Sequence, residues 1–308
     1  MTSPSLTRGP SKTAAPRRPS ARRENRSAYS FLAPSGIGFV LFTLGPIVAS
    51  VVIAFFSWPV IGERSFTGFT NFVTVFTADP MFWRTVGNTL LFVLLYVPLN
   101  FVLALGLAIW ISPRIRARGL YRLLFFLPAV TPIVANALVW RLLVQPNGAF
   151  ADIARWFGVD GFNPLGTEAG AMTVIIAMSL WQGFGYNMLV FSAGLDSIPD
   201  QLYEAASLDG AGPFRRFWNI TLPMLSPSIF FATVMTLITA FQVFAQPYVL
   251  TGGGPGISTT TMVMYLYQRG FQLYDLGVAS AVATVLFAII ALITAVQFIG
   301  QRKWVHYE

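Results

Sequence analysis

Cysteine is absent from these 308 residues, which excludes disulfides, thiolate metal sites and a cysteine nucleophile. Histidine occurs once, as His306, and reads as a tail residue rather than as a metal ligand or general base. Charged residues make up 10% of the chain, and none of the acidic ones lies deep in a long apolar run. That argues against a proton relay or a carboxylate-lined ion path. The glycine-rich TGGGPGISTTT starting at Thr251 has no lysine at the spacing of a nucleotide phosphate loop and lacks the third glycine of a dinucleotide fingerprint. The chain is therefore expected to hold no metal or cofactor and not to hydrolyse ATP by itself. No repeat of 20 to 50 residues and no inverted repeat is evident, which weakens a transporter reading built on internal symmetry.

Apolar residues are what the sequence has in abundance. It is 55% hydrophobic with a mean hydropathy of +0.64, too little polar surface to cover a soluble globule. Six runs are long enough to cross a bilayer core of about 30 Å as helices: Ile37 to Ser57, Val86 to Ile111, Leu123 to Val144, Ala171 to Gly194, Ser228 to Val249 and Leu276 to Gly300. The expected class is an all-α polytopic membrane protein with six transmembrane helices. The first run is too long for the core of a leader peptide and reads as a retained span. Pro46, Pro98, Pro128 and Pro132 fall inside these runs and are expected to kink helices whose freed carbonyls are satisfied within a packed bundle.

The formal net charge of +8 would point to nucleic acid in a soluble protein; here its placement reports orientation instead. Arg8, Lys12, Arg17, Arg18, Arg22, Arg23 and Arg26 precede the first run. Arg114, Arg116, Arg118 and Arg122 follow the second, Arg215 and Arg216 the fourth, Arg302 and Lys303 the sixth. Only Arg64, Arg84, Arg155 and Arg269 fall on the other side, with Arg141 near a helix end where it could snorkel. Both termini are accordingly expected in the cytoplasm. Residues 1–30, rich in Ser, Pro and Arg, read as a disordered basic cytoplasmic tail that sets topology and meets anionic lipid; residues 31–308 form the membrane domain. The outer loops, about 58 to 85, 145 to 170 and 250 to 275, are too short to form a capturing domain.

Between the fourth and fifth runs lies a polar interlude, DSIPDQLYEAASLDGAGPFRRFWNITLPMLSP, residues 196–227. Ser197 is a candidate N-cap with Pro199 in the first turn, which predicts a helix from Ile198 to Leu208. Asp209 and Gly210 stop it, Pro213 opens a second helix through Trp218, and Pro223 and Pro227 mark the return to the membrane. On residue chemistry alone, an amphipathic loop on the lipid surface and a two-helix element gripped by a cytoplasmic partner fit equally. In the fourth run Ser179, Gln182, Gly183 and Tyr186 share one helix face, and in the fifth Thr236, Thr239, Ala240 and Val243 repeat the spacing, with Gln242 and Gln246 beside them. Such stripes serve either as helix-helix glue or as the lining of a polar cavity.

Glu204, Ala205 and Ala206, then Gly210 after three residues, then Ile220, Leu222 and Pro223 match the EAA loop of ABC importer permease subunits. Asp209 to Ala211, Phe217, Leu225 and Pro227 fit as well. Over residues 30 to 308, including YVLTGGGP ending at Pro255, the sequence resembles the sugar and glycerol-phosphate permeases, the group of the maltose-system and glycerol-3-phosphate-system proteins. The resemblance implies a type I importer permease fold in a bacterial cell membrane. It further implies a second permease subunit, two cytoplasmic subunits that bind ATP and Mg, and an extracytoplasmic binding protein that delivers a carbohydrate or related polyol or glycerol-phosphate compound. The 204–223 segment would dock into the ATPase, with Gly210 as the tight turn. Ser179, Gln182, Gly183, Tyr186, Thr236, Thr239, Ala240 and Val243 would line the substrate path; Ala240 and Val243 stand where the maltose-system permease has amides. The rival readings are an ATPase-independent transporter or channel, and a non-transporting membrane scaffold.

Overall fold

The computed structural model describes residues 31–59, 61–111 and 115–303; the basic tail over 1–30, Arg114 and His306 lie outside them. The chain divides into two units, residues 1–49 and 50–308. The described part of the first belongs to an apolar helix, α1, Phe31–Ile53, six residues ahead of the run read from sequence. A π turn, Val40–Leu44, lies within it. Pro46 cannot donate to Phe42 and its ring would press on that carbonyl, so the helix widens by one residue just before it.

Three spans of the larger unit match their runs. These are α3, Pro80–Trp110, α7, Glu168–Asp196, and α13, Leu276–Gly300; the short β1, Phe56–Ser57, β2, Ser65–Phe66, and α2, Thr70–Val73, precede α3. Each long helix starts on a side-chain cap: Asp79 accepts from the Met81 N–H (2.9 Å), Thr167 from Gly170 (3.2 Å) and Asp275 from Val278 (3.2 Å), which satisfies amides that the first turn leaves unpaired. The helices α3 and α7 pack along each other through Phe92, Val97, Met178 and Phe191.

The third run does not form one helix. It divides into α4, Arg118–Val130, and α5, Ile133–Val144, with a bend of 93° between α4 and the segment Ile133–Trp156, which includes α6, Ala149–Trp156. Thr131 is extended (φ −74°, ψ 143°), as the residue before a proline must be, and Pro132 has no N–H to continue the ladder. The expected kink is a full break. Its loose ends are tied locally: the Thr131 hydroxyl donates to the Pro128 carbonyl (2.6 Å) and the Asn136 amide to the Thr131 hydroxyl (2.5 Å).

The fifth run likewise stops short. After the peg formed by α8, Asp200–Leu208, and α9, Pro213–Met224, comes α10, Ser226–Phe241, then an irregular stretch, then α11, Ala245–Thr251. Val243 lies between the two helices, ahead of the non-helical Phe244 (φ −139°, ψ −56°), so its carbonyl has no helical donor, and the Thr261 hydroxyl supplies one (2.7 Å). Arg141 of α5 donates to the Val249 carbonyl of α11 (3.4 Å).

Residues 250–275, expected as a plain outer loop, fold back against α3. Ser258, Thr259, Thr260 and Thr261 are buried, and their backbone is held by Asn88, which donates to the Ile257 (2.7 Å) and Thr260 (3.0 Å) carbonyls. The Thr89 hydroxyl accepts from the Met262 N–H (3.0 Å) at the start of α12, Met262–Tyr267. Beyond it, Arg269 pairs with the buried Asp79, which also accepts from the Tyr265 hydroxyl (2.5 Å). Burial pushes the Asp79 carboxyl up, but the hydrogen bonds from Tyr265, Arg269 and the Met81 N–H outweigh it and hold it below 3.8. A depressed carboxylate contributes stability that is complete above its ordinary value and lost as pH falls through the lowered one. Melting of the detergent-solubilised protein is therefore expected to show Asp79→Asn less stable than wild type at pH 7, with the gap closing below about pH 4; a gap independent of pH would refute this assignment.

Candidate functional site

The polar interlude forms a peg of two helices joined by a closed turn. It begins at Asp200 and not at Ile198: Pro199 is extended (ψ 129°) ahead of the first helical residue, and the Ser197 hydroxyl donates back to the Gly194 carbonyl (2.7 Å), finishing α7 instead of capping α8. At the far end of α8 the Gly210 N–H donates to Ser207 (3.1 Å) and the Ala211 N–H to Ala206 (2.9 Å), the paired C-terminal closure that needs a left-handed residue between them. Gly210 provides it, with φ +76°. The second helix runs past Trp218 to Met224 because a π turn, Phe217–Thr221, precedes Pro223 as another precedes Pro46. Pro223 thus lies within α9, and the redirection comes at Leu225, where α9 and α10 meet at 65°.

The two peg helices are tied by Tyr203 and Thr221 (3.0 Å between hydroxyls) and by Arg216 donating to Ser207 (2.9 Å). Glu204, Ala205, Asp209 and Gly210 are exposed; Ala206, Ala211, Phe217, Ile220, Leu222 and Pro223 are half-buried. Leu208 and Phe214 stand 90% and 78% exposed at the tip, while Ile198 and Leu225 at the root are buried. Glu204 makes no ion pair among the described residues. A cleft of about 780 Å³ lies between peg and bundle, lined by Ile111, Arg122, Asp196, Tyr203, Glu204 and Arg216 among others. Arg122 and Arg118 both reach Asp196 (3.1 and 3.7 Å), joining α4 to the end of α7 from which the peg emerges.

A second cavity, about 420 Å³, opens between α3, α4, α5, α7 and α10. Ser179, Gln182, Gly183 and Tyr186 line it together with Thr236 and Thr239. Ala240 and Val243 do not: Ala240 (2% exposed) and Val243 (4%) are packed in the apolar core. The helical spacing that placed Val243 with Thr236 ends at Phe241, so Val243 belongs to the irregular stretch. No charged side chain lines this cavity. At its wall, the Asn187 amide donates to Asn100 (2.6 Å) and to the Thr236 hydroxyl (2.9 Å), so one side chain joins α3, α7 and α10.

Residues 100–304 match the family model described as "Binding-protein-dependent transport system inner membrane component". The chain belongs to this family. It is 38% identical over 297 residues to the probable ABC transporter permease protein YesP of Bacillus subtilis, covering 94% of each. It is also 38% identical over 272 residues to the sulfoquinovosyl glycerol transport system permease protein SmoG of Agrobacterium fabrum, covering 87% of this chain and 88% of that one. Among solved structures, a chain of a bacterial ABC transporter involved in the import of the acidic polysaccharide alginate superposes with a TM-score of 0.81 at 25% identity, over 91% of this chain and 96% of that one.

In this permease, sequence reading missed Tyr96, Asn100, Asn187 and the cavity-facing side of α4 and α5, where Phe126, Ala129 and Ile133 add to the lining. Two of these carried a signal. Asn100 and Asn187 are amides in otherwise apolar runs, and a polar group at membrane depth must face protein or water. Tyr96 carried none until Gly183 was placed: a Cβ on that glycine would lie 2.2 Å from the Tyr96 hydroxyl, so the absence of a side chain on α7 is what admits the tyrosine.

Proposed function

We propose that this permease is the membrane-spanning subunit of an ATP-driven importer for a carbohydrate or related polyol, delivered by an extracytoplasmic binding protein. It pairs with a second permease subunit and with two cytoplasmic subunits that bind and hydrolyse ATP with Mg, in a bacterial cell membrane with both termini cytoplasmic. The observation that carries this reading is the exposed peg, whose Glu204-to-Pro223 spacing is that of an ATPase-docking loop and whose roots are the ends of α7 and α10. A force on the peg therefore acts directly on two helices that line the cavity. Carbohydrate cargo is supported by the relatives, which include a trehalose/maltose permease protein of Thermococcus litoralis and a lactose permease protein of Rhizobium radiobacter. It is supported also by a cavity of hydroxyls, amides and aromatic faces without a cation, a lining that suits neutral hydroxyls better than a phosphate.

In this reading Glu204, Ala205, Ala206, Asp209, Gly210 and Ala211 meet the ATPase, while Phe217, Ile220, Leu222 and Pro223 hold the second peg helix to the bundle. Ser179, Gln182, Gly183, Tyr186, Thr236 and Thr239 bound the path. The test is uptake of radiolabelled sugar into vesicles containing the full complex. Uptake is expected only with ATP inside and intact ATPase subunits; uptake that persists when the ATP site is disabled would favour a gradient-driven transporter and sink this assignment.

A further inference from the structure

The break in the third span lies against the cavity wall, and one side chain of the opposite wall holds it. Thr131 is extended, so its carbonyl has left the helical ladder and in a membrane interior needs another donor. The Gln182 amide of α7 donates to it at 3.2 Å. Gln182, Ala129 and Ile133 all line the cavity, so this hydrogen bond spans the point where the path meets the hinge. On either side the two elements are in contact. Toward the N-terminal half of the break, a Cβ on Gly185 would lie 2.2 Å from the Phe125 carbonyl, which means that α4 and α7 touch backbone to backbone. Toward the other half, the Trp140 and Trp181 rings are 6.0 Å apart. Between these two contacts Gln182 supplies the only hydrogen bond from α7 to the break among the described residues, and it is a side-chain bond that can be exchanged without unfolding a helix.

We propose that Gln182 is a positioning residue: its amide latches the Thr131 carbonyl and sets the resting angle between α4 and α5, and the transport stroke releases it. This rests on the importer reading above. A single hydrogen bond of this kind contributes about 1 kcal/mol net, enough to shift a two-state population about fivefold, so the latch biases the hinge without locking it.

The absence of cysteine allows spin labels to be placed by Leu123→Cys on α4 and Leu142→Cys on α5, both more than half exposed, in the complete importer with cysteine-free partner subunits. A straight helix would separate these positions by about 28 Å; the bend shortens that. Without nucleotide, the wild-type background is expected to give one dominant distance, and a non-hydrolysable ATP analogue a second. Gln182→Leu should populate the second distance about fivefold more than wild type before nucleotide is added. Gln182→Met has close to the length and volume of glutamine but no N–H to donate, and should do the same; if packing alone mattered, it would keep the wild-type distribution. Distances in both variants equal to wild type would overturn the latch. Uptake is measured on the same samples: wild type that takes up nothing with ATP overturns the importer reading, whereas normal uptake with a bend indifferent to both substitutions overturns the latch alone.

Discussion

Gly210→Pro is expected to uncouple the importer, with sugar uptake falling about a hundredfold while the permease still inserts and folds. Proline fixes φ near −65° and removes the N–H, whereas Gly210 sits at φ +76° and donates to Ser207. Neither requirement can be met, and the cost of about 3 kcal/mol or more falls on the turn that holds α8 against α9. The damage is confined there, since nothing lies within 4 Å of where a Cβ on Gly210 would be and the peg is rooted by Ile198 and Leu225, which are buried well away from the turn. Gly210→Ala asks only for a left-handed alanine, about 1 kcal/mol, and should retain most of the uptake. Glu204→Ala leaves the fold untouched, because Glu204 is exposed, and is expected to lower transport-linked ATP hydrolysis if that carboxylate meets the ATPase. The measurements are uptake and ATP hydrolysis in the same vesicles, with melting of the solubilised permease as the control for folding. Wild-type uptake by Gly210→Pro would mean that the peg transmits nothing.

What was legible in the sequence follows from which forces are local. Length and apolarity sufficed for α3, α7 and α13, because a run of more than 20 apolar residues has one stable form in lipid. The closure at Gly210 was legible because a left-handed turn is written in a single residue type. The break at Pro132 was half legible and the one after Phe241 was not: at Pro132 proline announced a freed carbonyl, but whether a helix bends or parts depends on the donors that arrive from elsewhere. At Thr131 that donor is Gln182, and at Val243 it is Thr261. The pairing of Asp79 with Arg269 joins residues 190 apart in the chain, and no periodicity encodes it. The burial of Ser258 to Thr261 depends on Asn88 and Thr89, so a stretch polar enough to read as a loop packs in the interior once its partners are in place. For the cavity, helical spacing put six of eight residues on its wall; it failed at Ala240, which α10 turns into the apolar core, and at Val243, where the helix has ended.

Gly185→Val is expected to be strongly destabilising, unlike substitutions at the open glycines of α3. The helices α4 and α7 meet at this glycine so closely that a Cβ would lie 2.2 Å from the Phe125 carbonyl oxygen and 3.0 Å from the Phe126 Cα. Both are main-chain atoms, so no rotamer change can make room; one helix must move. Close approach at small residues is what holds membrane helices together, through dispersion and weak polar contacts, and separating the backbones by even 1 Å forfeits much of it along the whole contact. Overpacking of a rigid site costs about 1 to 3 kcal/mol, occasionally more, and exceeds the gain of about 1 kcal/mol in helix propensity that replacing a glycine brings. Gly185→Ala already places the offending Cβ and should be clearly destabilised, with valine worse. Gly87→Ala and Gly106→Ala make the same chemical change within α3, where nothing lies within 4 Å, and should be neutral or slightly stabilising. Melting of the four solubilised variants, followed by loss of the monodisperse peak on gel filtration, gives the comparison. Equal stability of Gly185→Ala and Gly106→Ala would show that α4 and α7 do not touch there; with it would go the fixed point on which the neighbouring Gln182 latch bears.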